Sequence, residues 1–265
     1  MKKLMIAMGA AALCGAVHAA DAGIVSSDIV GYATGSLTKG NYNTMTVQFN
    51  SIGKSGFSLN DITLTGMTAG ESSDDGDLIQ FWVPETSGYE AYYLYEGDED
   101  YPYGWYNTTT DESFDTDYPN GKPVGTAFWY IARGTFNGST GTQQTAGAVE
   151  SDATVTYTLT KGNYNLVASA YPISLKLNNA ILSGMTAGES SDDGDLIQFW
   201  LPETSGYEAY YLYEGDEDYP YGWYNTTTDE SFDTDYPNGK PVGTAFWYIA
   251  RGAFDGTTGS ITFAK

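Results

Sequence analysis

One cysteine and one histidine are all that this 265-residue chain holds of either type, and both lie near its start, as Cys14 and His18. Lys2 and Lys3, the apolar run Leu4 to Val17 and the small-residue sequence Val17-His18-Ala19 predict an export signal over residues 1–19. Cleavage there leaves a mature chain with no thiol and no imidazole. Such a chain has no disulfide, no Ser-His-Asp or Cys-His catalysis, and no zinc site built on Cys or His. Its stability must come from packing, although an exported chain could have used disulfides. The signal's apolar run is too short to span a bilayer, and no later segment is apolar for long enough. The expected location is outside the cytoplasm (extracellular, cell surface or periplasm), without membrane insertion.

Basic residues are scarce too. Eleven Lys and Arg face 34 Asp and Glu, a formal net charge of -23. No basic patch exists to neutralise phosphates, which excludes nucleic acid and anionic membrane surfaces as natural partners. Cations, polysaccharide and other extracellular proteins remain. Such a charge also keeps a chain soluble and apart from its copies.

What the chain does have is a repeat. Residues 66–134 return as residues 184–252 at a constant offset of 118, and Val83 to Leu201 is the only change. Upstream the match continues at an offset of 122, from Thr38-Lys39-Gly40-Asn41-Tyr42-Asn43 to Thr160-Lys161-Gly162-Asn163-Tyr164-Asn165. The first copy therefore carries four extra residues, placed within Ser51 to Phe57, where Gly53 and Gly56 read as a surface loop. Gly138 to Thr145 is the one linker candidate. The units are set at 20–144 and 145–265. Threonine runs are copied as faithfully as tryptophans, so the identity proves repetition rather than importance.

Each unit has the periodicity of strands. Tyr89, Ala91, Tyr93 and Tyr95 alternate onto one face; Ile79 to Val83 precedes them across the turn Pro84 to Gly88. Gly104-Trp105-Tyr106 and Thr126 to Ala132 read as further strands, and Ile29 to Tyr32 and Thr46 to Phe49 as short ones. Ser58 to Leu64 reads as one helical turn. The expected class is all-β: two tandem, near-identical antiparallel β-sandwich or barrel-like repeats, each of a size to bury its own core. Trp129 and Trp247 sit in apolar strands and are expected in those cores.

Val25-Ser26-Ser27-Asp28-Ile29-Val30-Gly31-Tyr32 resembles the start of the uncharacterised exported tandem β-repeat proteins of Verrucomicrobia-like bacteria. So do the Gly-Trp-Tyr segment at Gly104, the Gly-x-x-Phe-Trp strand from Gly125 to Trp129, and Leu166 to Pro172 of the second copy. The second copy departs at the Val-Gly-Tyr motif, where it has Val155-Thr156-Tyr157. The resemblance implies export and a β fold, and no activity.

Two constellations are candidates for chemistry. Closely spaced carboxylates at Asp98, Glu99 and Asp100, with their copies Asp216, Glu217 and Asp218, could hold calcium, which takes six to eight oxygen ligands; Asp74-Asp75-Gly76-Asp77 is a second cluster. Beside the loop stand Tyr101, Tyr103 and Trp105, copied as Tyr219, Tyr221 and Trp223, with Tyr106 next in sequence. Flat aromatic faces beside carboxylates suit sugars; the plainer reading puts Trp105 in the core. No motif singles out a carboxylate pair for glycoside hydrolysis, so no catalytic residue is assigned. The sequence reads as an exported, non-enzymatic repeat protein with a structural or interaction role at the cell surface or in the extracellular matrix. The alternative is a bivalent, calcium-dependent carbohydrate-binding module.

Overall fold

The computed structural model describes residues 30–134, 140–251 and 258–265. The export signal lies outside these. The first unit contains β1 (Val30–Thr38), β2 (Tyr42–Thr46), β3 (Phe49–Asn50), β4 (Thr63–Thr65), β5 (Leu78–Val83), β6 (Gly88–Tyr95), β7 (Gly104–Asn107), the one-turn helix α1 (Phe114–Asp117), β8 (Ala127–Ile131) and β9 (Thr140–Val149). The second contains β10 (Thr154–Thr160), β11 (Tyr164–Ala168), β12 (Ile181–Ser183), β13 (Leu196–Leu201), β14 (Gly206–Tyr213), β15 (Gly222–Asn225), α2 (Phe232–Asp235), β16 (Ala245–Ile249) and β17 (Thr258–Ala264).

The chain is all-β, with every ladder between named strands antiparallel and no closed barrel among the described residues. Each unit has a five-stranded main sheet, ordered β2-β8-β5-β6-β7 in the first and β11-β16-β13-β14-β15 in the second. Registers repeat with the sequence: Trp82 pairs with Tyr89 as Trp200 does with Tyr207, and Thr44 with Trp129 as Leu166 does with Trp247. A smaller end sheet closes each unit, β1-β9-β3 with β4 also on β9 in the first, β10-β17-β12 in the second. Alternate residues of the main sheet turn toward the end sheet. Ile79, Phe81, Tyr92, Leu94, Trp105, Phe128 and Tyr130 meet Leu37, Phe57, Leu59 and Phe114 in one buried cluster. Its counterpart in the second unit adds Ile261 and Phe263 from β17. Each unit thus buries its own core.

The helical turn expected at Ser58 to Leu64 is shorter: a 3-10 turn at Leu59–Asp61, capped by the Ser58 side chain, which leads into β4. The first unit's extra residues form the loop Ser51 to Gly56, closed by a 2.9 Å bond from Ser51 N to Gly56 O, with Ile52 exposed. The linker reading needs correction. From Thr140 onward the segment is β9, paired with β1 from end to end, so the boundary at 144/145 falls inside a strand. Its inward residues are Gly141, Gln143, Thr145 and Gly147, a strand alternation written in small and polar residues.

Trp129 and Trp247 are buried, at 6 % exposure each, but not inside either core. They face the other unit. Trp129 lies 5.7 Å from Trp200, Trp82 lies 5.5 Å from Trp247, and Trp129 and Trp247 stand 6.3 Å apart, centroid to centroid. The Trp82 indole N–H donates to the Tyr164 carbonyl at 2.7 Å, and Trp200 N–H to the Tyr42 carbonyl at 2.6 Å. Asn41 Nδ2 donates to the Pro202 carbonyl and Asn163 Nδ2 to that of Pro84. Ala127, Ala168 and Ala245 let the backbones close in beneath. The tryptophan and asparagine contacts are each reciprocated, so at its centre the seam joins the two units as an isologous pair within one chain.

Trp129→Ala empties the centre of this seam and is expected to cost about 3–5 kcal/mol, as large aromatic truncations in well-packed sites do. Chemical denaturation followed by tryptophan fluorescence measures it; a loss below about 1 kcal/mol would mean that the seam is not closed in solution.

Candidate functional site

On the face of the main sheet that carries the tryptophans, but at the sheet's far edge, tyrosines gather. Tyr93 and Tyr95 point outward from β6, and the register sets Tyr106 of β7 opposite Tyr93. The parity that sends Tyr106 out sends Trp105 in, opposite Leu94. Tyr106 is the hub: Tyr95 lies 5.5 Å away at 77°, Tyr101 6.1 Å away at 86°, and Tyr93 6.5 Å away. These four rings wall a cup of about 430 Å³ whose rim holds Glu71, Asp98 and Asp111. The second unit repeats it at about 400 Å³, with Tyr211, Tyr213, Tyr219, Tyr224, Glu189, Asp216 and Asp229.

Local chemistry holds each part in place. Asp98 Oδ1 accepts from the N–H groups of Asp100 and Tyr101, at 2.8 and 2.7 Å, and Oδ2 accepts from the Tyr95 hydroxyl at 2.6 Å. Gly97 precedes it with φ 84°, a left-handed conformation that glycine adopts freely, and a β-carbon there would stand 2.8 Å from Tyr103 N. Tyr106 Oη donates to the Pro102 carbonyl at 3.0 Å. The Glu71 side of the rim hangs from Asp77, which is 1 % exposed. Its carboxylate accepts from Tyr130 Oη at 2.8 Å, Arg133 N at 2.6 Å and Thr68 N at 3.1 Å. Arg133 donates in turn to the Ser73 and Gly76 carbonyls, so its guanidinium is spent on the loop backbone.

Electrostatics follow from this packing. The bond to the Asp98 carboxylate, more than burial, pushes the Tyr95 phenol up to about 12, and the same bond holds the Asp98 carboxyl below its ordinary value. Burial first, and then the Asp111 carboxylate, raises Tyr93; burial and then Asp98 raise Tyr106. Each cup therefore has a negative field, and among the described residues no Lys or Arg lines it.

The expected site residues separate in the structure. Trp105 and Trp223, at 1 % and 0 % exposure, are core residues whose rings no ligand reaches; parity of the strand put them inside. Tyr101 and Tyr219 are exposed and belong to the cups. Tyr103 and Tyr221 are exposed but stand outside them. Asp98, Glu99 and Asp100 do not converge as metal ligands, nor do Asp216, Glu217 and Asp218. Among the described residues no group of three His, Cys, Asp or Glu side chains is arranged to hold an ion. Asp98 and Asp216 spend both oxygens on building their loops instead. Tyr93, Tyr95, Glu71 and Asp111 were missed as site residues. The alternation of β6 placed the two tyrosines on one face, but nothing in the sequence brings residue 71 or 111 beside them.

No known family, curated protein or solved structure matches the chain, so the site rests on its own geometry.

The Tyr95–Asp98 bond has a signed pH dependence. A carboxyl whose folded pKa is depressed stabilises the fold above its unfolded value, near 3.8, and that contribution is lost as pH falls through the lower folded value. Asp98→Asn should bring the Tyr95 pKa down toward the ordinary tyrosine range near 10. NMR titration of the Tyr95 ring in both proteins measures this; an unchanged Tyr95 pKa would refute the bond.

Proposed function

We propose that this chain is an exported, non-enzymatic interaction protein that holds cationic side chains of an extracellular partner in its two cups. The observation that carries this reading is the composition of the cup: four tyrosine rings, three carboxylates and no basic residue. Ring faces attract a positive charge through their quadrupole, by about 0.5–1 kcal/mol at exposed sites and more when water is excluded. Carboxylates at the rim supply the charged partner. A lysine or arginine side chain also brings an apolar stem for the ring walls. The net charge of -23 steers such a partner toward the surface at long range. Two equal cups on one rigid frame gain avidity on a partner with repeated basic positions. The carbohydrate reading keeps Tyr101 and Tyr103 as open faces but loses Trp105, and it leaves the cup's strong negative character without a role.

The test is binding to an immobilised oligolysine peptide. Tyr93→Ala removes one cup wall without changing charge and should weaken binding several-fold. Tyr93→Ala with Tyr211→Ala should abolish the avidity gain, which reaches about 10²–10⁴ for well-matched bivalent contacts. A neutral oligosaccharide should not compete. If both tyrosine variants bind as the parent does, the attraction is diffuse charge and the cups are not the site.

A further inference from the structure

The two units are near-copies, so the places where they differ carry information. One difference lies on the inward faces of the two end sheets, beside the seam. In the second unit the inward positions are Val155, Tyr157, Ile261 and Phe263. At the offsets of the repeat, the first unit has Ala33, Gly35, Gln143 and Thr145, and it has Gln48 where the second has Ala170. Tyr157 packs edge-on against Phe263 at 6.0 Å and reaches over Ala170 to the first unit, where its hydroxyl occupies the space a side chain on Gly125 would need. One side of the seam is thereby plugged with a six-membered ring.

On the other side Gly35 supplies no plug. A cleft of about 560 Å³ opens there, between β1 and β9 of the first unit and the Lys240–Ala245 segment of the second. Buried polar side chains line it, among them Gln48, 2 % exposed, and Gln143, 5 % exposed. Gln48 Nε2 and Gln143 Oε1 have no hydrogen-bond partner among the described residues. A β-carbon on Gly35 would lie 3.7 Å from Gln143 Oε1, and one on Gly243 3.3 Å from Gln48 Nε2, so the amides flank the vacant plug position. A buried donor and a buried acceptor without partners are costly, and such groups are normally met by something. The charge nearby is spent: Lys240 is paired with Glu208 at 2.6 Å, and Glu203 is at the exposed rim. Nothing in the cleft answers an ion.

We propose that this cleft binds one neutral pyranose ring, seated where the ring of Tyr157 sits in the other unit. The ring's size matches the plug, and its hydroxyls match walls rewritten from Val, Ile and Phe to Ala, Gln and Thr. Gln48 Nε2 donates to one ring oxygen and Gln143 Oε1 accepts from a hydroxyl. Thr44 and Thr145 line the same walls. The site is single among the described residues and owes nothing to the tyrosine cups.

Titration of the full chain with a panel of methyl glycosides, read by the side-chain amide signals of Gln48 and Gln143, tests this. At least one glycoside should shift both signals and saturate at one equivalent per chain. The matching oligosaccharides distinguish a site for a free sugar from one for a residue within a polymer, which must bind at least as tightly. Gly35→Tyr, which copies the other unit, should weaken binding at least tenfold, and Tyr93→Ala in the cup should leave it unchanged. If Gly35→Tyr fails to fold, Gln143→Ile carries the same expectation. A panel that shifts neither amide overturns the proposal, as does binding that survives both Gly35→Tyr and Gln143→Ile.

Discussion

Four tryptophans, two from each unit, hold this molecule in one shape. Trp82 and Trp129 meet Trp200 and Trp247 at 5.5–6.3 Å between centroids, and each half-buried indole N–H of the outer pair ends on a carbonyl of the opposite unit. Packing supplies the attraction and the N–H bonds supply the register. Without the seam the chain would be two small sandwiches on a strand-to-strand connection. With it, the cups are held at fixed places on one frame, and the cleft exists at all, because one wall comes from each unit.

Within a unit the same economy recurs with carboxylates. Asp77 is buried with no salt bridge among the described residues, and its acceptors are met by a phenol and two backbone N–H groups. Glu90 takes the hydroxyl of Tyr118 and the ammonium of Lys122, which lies 3.8 Å above the Tyr118 ring. Burial presses the lysine pKa down, and the Glu90 carboxylate partly restores it. In a chain with so little positive charge, tyrosine hydroxyls and backbone amides do the work that basic side chains do elsewhere. That is one physical reason for 23 tyrosines.

The sequence displayed some of this and concealed the rest. Alternation in Tyr89 to Tyr95 gave the strand and its faces, because period-two burial is a local property. The repeat gave two alike units. β9 was hidden, since its inward residues are Gly, Gln and Thr, and a strand whose buried face is polar has no apolar period to read. Trp129 was read as core because a buried aromatic in a strand looks the same whether it faces its own unit or another. Trp105 and Tyr106 are neighbours whose fates differ by one step of parity, which only the ladder to β6 decides. The acidic loop suggested a cation site through carboxylate density alone, whereas directionality made Asp98 a turn-builder.

The reciprocity of the seam has a consequence for how such a molecule can change. A single unit would carry the same aromatic face and the same outward indole, a self-complementary surface of the kind from which symmetric homodimers are made. In a homodimer every substitution appears twice, so a glycine at position 35 would open both sides of the interface at once. Joining the copies in one chain removes that obligation. The seam stays symmetric where it must cohere, while one flank is free to be closed by a tyrosine and the other left open. Tandem duplication here yields more than a doubled valence: it separates the requirement for association from the freedom to specialise.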